Sequence, residues 1–157
     1  MTRLTLFLLS LSLAGCASVI PNTTVEDTPD NRDVVSFMEE YRRAVEARNV
    51  RRLLDLADES YLDDNGTPSG DDDLDYDGLR EHLALWTDRL LDVRYEINYR
   101  RVTWEEHRVY VEYRYTANFR VRGGDDDDHW ARRLGDNRIV LARDDEASPR
   151  FQILSGM

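Results

Sequence analysis

The chain is 157 residues long and carries 32 acidic against 21 basic side chains, a formal net charge of −11. That length gives one compact domain with a core of its own, and that charge excludes nucleic acid as a partner, since phosphates need cations to neutralise them. Every basic residue apart from the histidines is Arg, which removes Schiff-base chemistry on lysine, and the lone cysteine, Cys16, removes any intramolecular disulfide.

Met1-Thr2-Arg3 is a short basic start. Leu4 to Leu13 is apolar except for Thr5, Ser10 and Ser12, and Ala14 and Gly15 lead into Cys16. Basic start, apolar run, small residues is the order of a secretory signal. The run is about half the length that crosses a bilayer. Leu13-Ala14-Gly15-Cys16 resembles the lipobox of bacterial lipoproteins. That resemblance implies a signal peptide over residues 1–15, cleavage before Cys16, a diacylglyceryl thioether on its sulfur and an acyl chain such as palmitate on its new amino group. Two or more chains anchor stably where one is marginal. The implied location is the cell envelope. Ala17, rather than Asp, after the cysteine implies the outer membrane, facing the periplasm, if the cell is Gram-negative. An ordinary signal peptide with an incidental cysteine is the competing reading. Residues 16–32 are polar past Cys16 and hold Pro21 and Pro29, which reads as a flexible tether. Anionic headgroups would repel so acidic a domain, so the lipid has to hold it at the membrane.

From Asp33 to Arg48, Val34, Phe37, Met38, Tyr41, Ala44 and Val45 share one stripe at helical spacing. Asn49 can cap a second helix, where Val50, Leu53, Leu54 and Ala57 repeat the stripe. Leu62 to Tyr76 is an Asp- and Gly-rich loop. Asp77 can cap a third helix carrying Leu79, His82, Leu83, Trp86 and Leu90 on one face.

The period then changes to two. Val93, Tyr95, Ile97 and Tyr99 alternate with polar residues, and a bend is expected between Arg101 and Trp104. Val109 to Val121 alternates without a break. Gly123-Gly124 and the Asp125–Asp128 run make a hairpin tip. A return strand reads from Trp130 to Leu134 and resumes at Arg138 to Arg143, interrupted by Gly135-Asp136-Asn137. Phe151 to Leu154 is the last strand. The class is α+β over residues 33–157, with three N-terminal helices packed on a curved antiparallel sheet.

Tyr41 to Val50, Leu53-Leu54-Asp55-Leu56-Ala57, the Asp63-Asp64-Asn65-Gly66 loop, the helix opening at Gly78 and the long alternating strands together resemble the nuclear transport factor 2-like superfamily. That superfamily also holds ketosteroid isomerase and polyketide-cyclase-like proteins. The resemblance implies a cone-shaped pocket between helices and sheet, frequent dimerisation through the sheet, and no single activity. The isomerase branch uses a helix-one tyrosine, a carboxylate base in the loop after the second helix, and a second acid in the sheet. By resemblance, Tyr41 stands at the tyrosine and the base falls near Asn65, one residue from Asp64. The inward sheet positions Tyr113, Tyr115, Ala117 and Phe119 include no acid.

Tyr41, His82, Trp86, Tyr95, Tyr99, Tyr113 and Tyr115 all fall on inward stripes. Aromatics with polar tips make either a ligand pocket or a filled core. Histidines at helical zinc spacing and a glycine-rich phosphate loop are both missing from the sequence, so no cofactor is expected. Asp73, Asp75, Asp77 and Gly78 match the opening of a calcium loop, but Ala84 stands where its bidentate Glu belongs; the competing reading is a solvated acidic loop. The outward sheet face carries Arg94, Arg100, Arg114 and Arg120 with Glu96 and Glu112, either solvated or a surface for a homodimer or an envelope partner. The leading expectation is a non-catalytic, lipid-anchored domain that binds a small apolar ligand or a partner protein. The alternatives are an isomerase- or cyclase-like enzyme using Tyr41 and Asp64, with His82 as a further candidate, and a calcium-stabilised interaction domain.

Overall fold

In a computed structural model of the protein, which describes residues 18–67, 70–123, 127–148 and 150–157, the first apolar stripe lies in helix α1, Pro29–Glu46. Val34, Phe37, Met38, Tyr41, Ala44 and Val45 are buried along it. The lipobox with Cys16, and Gly124, Asp125 and Asp126 of the hairpin tip, lie outside the described residues.

The helix starts earlier than the stripe suggests. Thr28 accepts the Asn31 N–H as the cap, and Pro29 follows in the first turn, where a missing N–H costs nothing. The residues before it are also docked, which corrects the expectation of a free tether reaching Arg32. Val25 is only 2% exposed. The Thr24 N–H and hydroxyl donate to the carbonyls of Tyr99 and Arg100. The Asn31 amide donates to the Glu26 carbonyl and accepts the Trp104 indole N–H. One buried valine carries no periodicity, so the sequence pattern passes over this segment.

Helix α2, Val50–Leu56, is capped by Asn49 as the sequence indicates. The acidic loop contains a two-residue ribbon, β1 (Leu62–Asp63) against β2 (Leu74–Asp75), joined through a short 3-10 turn at Gly70–Asp72. Helix α3 spans Tyr76–Arg89, and its cap is Asp75, which accepts the Gly78 N–H; Asp77 lies inside the first turn.

Strand β3, Leu90–Trp104, continues directly from α3. The antiparallel order is β3-β4-β5-β6, with β4 at Arg108–Val121, β5 at His129–Arg143 and β6 at Phe151–Ser155. The pairing of β3 is irregular between Leu90 and Asp92 and again between Tyr99 and Arg101, before the expected bend, and β3 stays paired to Trp104. Strand β5 is unbroken, which corrects the expected interruption: Tyr115 pairs with Gly135, Arg114 with Asp136 and Tyr113 with Asn137. Helix α1 meets the sheet through Phe37 on Phe151 (ring centroids 5.8 Å apart) and Tyr41 on Tyr95 (6.3 Å). The class is α+β, three helices with antiparallel sheets.

Candidate functional site

Between the helices and the upper half of the sheet lies a cavity of about 650 Å³. Tyr41, Val45 and Leu53 line it from α1 and α2. Helix α3 adds Leu79, His82, Leu83, Trp86 and Arg89. Val93 and Tyr95 come from β3, and Tyr115, Ala117, Phe119 and Val121 from β4. Arg133 of β5 and Met157 complete the wall. Most of this lining is hydrocarbon and ring, and no Asp or Glu is among the lining residues. An apolar concavity with a few convergent polar groups is the usual form of a small-molecule site.

Two buried tyrosines of the lining, Tyr41 and Tyr95, form its floor, with Tyr113 buried behind them. Tyr41 and Tyr95 pack edge to face at 86°, and Tyr95 leans on Tyr115 at 5.7 Å. Tyr41, Tyr95 and Tyr113 lie close enough for each phenol to perturb the others. Asn137 donates its amide to the Tyr113 hydroxyl at 3.0 Å and to the Gly156 carbonyl at 2.9 Å. Burial pushes all three phenols well above the ordinary tyrosine range, so each stays neutral and can donate.

A second cluster braces this floor from behind. Asp63 Oδ2 accepts the Gly156 N–H at 2.9 Å and the Tyr61 hydroxyl at 3.3 Å, and that hydroxyl accepts the Met157 N–H at 3.2 Å. The chain after β6 is thereby held against β1, with Met157 at the cavity wall.

No protein-family model matches the chain, and no curated protein matches it in sequence. Solved structures do match in shape. A nuclear transport factor 2-like superfamily protein from Salmonella enterica serovar Typhimurium superposes with a TM-score of 0.63 at 9% identity, over 80% of this chain and 86% of that one. A ketosteroid isomerase-like protein from Erwinia carotovora gives 0.61 at 12%, over 83% and 95%. A dehydratase candidate of the nuclear transport factor 2-like family from Streptomyces avermitilis gives 0.58 at 16%, over 82% and 95%. The fold is nuclear transport factor 2-like.

Within the nuclear transport factor 2-like cone, the sequence candidates separate. Tyr41, His82, Trp86, Tyr95 and Tyr115 line the cavity together. Tyr113 stands behind them, outside the lining. Tyr99 is committed elsewhere, donating to Glu39 at 2.8 Å. Asp64 is not brought to Tyr41. It is exposed on the loop, accepting the Gly66 N–H at 3.0 Å, and does not line the cavity. Its neighbour Asp63 is the residue turned inward, and Gly156 and Tyr61 occupy it.

The calcium candidates do not converge either. Asp75 caps α3, Asp77 pairs with Arg80, and Asp73 is exposed. Among the described residues no three His, Cys, Asp or Glu side chains are grouped to hold a metal ion. On the outward sheet face, Arg114 pairs with Asp136 at 2.9 Å and Arg94 lies over the Trp130 ring at 5.6 Å.

Arg89 and Arg133 at the cavity are absent from the sequence-derived site. The signal for Arg133 was strand alternation. An unbroken β5 sets it on the same face as Gly135 and Asn137, and the glycine hides that continuity.

Proposed function

We propose that this domain is a non-catalytic binding module that holds a small apolar ligand in its cone cavity and is kept at the cell envelope by lipid on Cys16. One observation carries the ligand reading: a cavity of about 650 Å³ walled by aliphatic and aromatic side chains, with no carboxylate in its lining. A base able to take a proton from carbon is the part the isomerase plan requires, and Asp64 points elsewhere. The direct test is native mass spectrometry of the domain purified from its own host, which weighs any retained small molecule and counts subunits. Ala117→Phe, which fills the cavity from β4, is expected to abolish uptake of the neutral fluorophore N-phenyl-1-naphthylamine. Equal uptake by both proteins would end the reading.

The envelope address rests on the lipobox. Globomycin, which blocks lipoprotein signal cleavage, is expected to make the precursor accumulate, and normal processing under the drug would remove the anchor. A homodimer or an envelope partner would use the outward sheet face, where Trp130 (52%) and Leu134 (62%) are exposed.

A second reading, an isomerase- or dehydratase-type enzyme, is favoured by one feature. The phenols of Tyr41 and Tyr95, buried at the cavity and held neutral, are donors of the form that steadies a developing oxyanion. His82 would then have to move the proton, since the lining offers no carboxylate. Deuterium exchange next to the carbonyl of a bound ketone, lost in His82→Ala and in Tyr41→Phe, would establish it.

A further inference from the structure

The charge in the cavity lining has one sign. Acidic residues make up 32 of the 157, yet the ionisable side chains at this cavity, besides the tyrosines, are Arg89, Arg133 and His82. Neither arginine is within 4 Å of a carboxylate among the described residues, whereas Arg42, Arg114 and Arg150 are each held by one or more acids. Arg89 ends α3, where a cation also suits the helix dipole. Arg133 has no such secondary reason. It sits in the interior of β5, opposite the small Ala117, and its guanidinium lies 6.0 Å from the centroid of the cavity ring Phe119. An arginine laid over an apolar wall, with its fork unmatched, is a ready partner for a carboxylate. Tyr115, also in the lining, makes no hydroxyl hydrogen bond among the described residues.

We infer that the cavity takes an apolar molecule bearing a single carboxylate, its body among Leu79, Leu83, Trp86 and Phe119 and its anionic head on Arg133 and Arg89. The inference rests on the ligand-binding reading above and adds the chemical class. Both arginines are exposed, so a head held on them keeps part of its hydration while the chain is buried, which avoids most of the cost of desolvating a charge. In a chain with a net charge of −11, cavity arginines free of acid partners are also what an anionic ligand needs in order to approach against the surrounding field.

Displacement of N-phenyl-1-naphthylamine, a neutral probe, tests the two layers separately. Dodecanoate, dodecanol and dodecylamine share one chain and differ in head charge. Dodecanoate is expected to bind about tenfold more tightly than dodecanol, corresponding to about 1.4 kcal/mol, and dodecylamine more weakly than either. Arg89→Gln with Arg133→Gln should bring dodecanoate to within about twofold of dodecanol without changing dodecanol itself. Arg132→Gln, an exposed arginine on the other face of β5, should leave the preference intact. Both arginines are exposed, and unchanged dodecanol binding reports that the double variant is folded. Equal binding of dodecanoate and dodecanol to the native protein, or a preference that survives the double variant, overturns the carboxylate inference and leaves the binding module standing. Failure of the native protein to take up the fluorophore or any of the three ligands overturns both.

Discussion

The ring of Tyr115 lies against the backbone of Gly135, its Cε1 2.9 Å from where a β-carbon would stand. The glycine is therefore a seat for the ring rather than a turn, and it fixes one aromatic of the cavity wall. In Gly135→Ala the ring must tilt. The expected loss is roughly 1–3 kcal/mol, the range for overpacking a core, with altered uptake of N-phenyl-1-naphthylamine. Combining it with Tyr115→Ala should recover much of the loss, because the clash has gone. Urea melts of the two single variants and the double variant measure this; strict additivity would refute the contact.

Asn137 spends both amide hydrogens, on the Tyr113 hydroxyl and on the Gly156 carbonyl. Asn137→Ala leaves two acceptors without that donor, one of them on the buried Tyr113. It is expected to cost roughly 1–3 kcal/mol. Tyr113→Phe, which removes only one end, should cost less. Comparing the two denaturation midpoints decides whether the amide has both jobs.

Alkaline stability follows from the buried phenols. Burial raises Tyr41, Tyr61, Tyr95, Tyr99 and Tyr113 above the ordinary tyrosine value near 10 in the folded state. A raised folded value means stability that is complete below pH 10 and is lost as the pH climbs above it, because only the unfolded chain readily releases these protons. The absorbance of their phenolates should therefore rise together with the loss of circular dichroism. Ionisation of all five in a protein that keeps its folded spectrum would contradict the burial.

At the acid end the sign reverses. Hydrogen bonds from Arg32 to Asp27, from Arg114 to Asp136, and from Arg143 and Arg150 to Asp145 hold these carboxyls below their usual range. Their contribution is present above about pH 4 and is lost as the pH falls through the lowered folded values. All three are at the surface, so the effect should be small and should shrink in salt. Asp136→Asn should lower the urea midpoint at pH 7 and leave it unchanged at pH 2.

Most of the framework was legible because it repeats. The stripe from Val34 to Val45 and the alternation from Val109 to Val121 each place many side chains on one face, and Asn49 marks a cap by chemistry alone. Features carried by single contacts were not legible. Val25 is one buried residue among polar neighbours, and Asp63 faces inward from a strand of two residues, too short to show a period. Gly135 reads as a break because glycine's usual meaning is a turn, while its role here depends on a ring twenty residues away in sequence. Asp64 and Asp63 differ in the same way: Asp63 bonds Gly156 and Tyr61, while Asp64, one residue on, is exposed on the loop.

Gly156 has φ of +88°, and a β-carbon on it would stand 2.2 Å from the Arg138 carbonyl oxygen. Its N–H donates to Asp63 of β1, and its carbonyl accepts from Asn137, which also donates to the Tyr113 hydroxyl. Strand β1, the chain after β6, β5 and β4 are thus tied together by one short series of hydrogen bonds. That series fixes the chain after β6 in one position, and from it Met157 takes its place in the cavity wall.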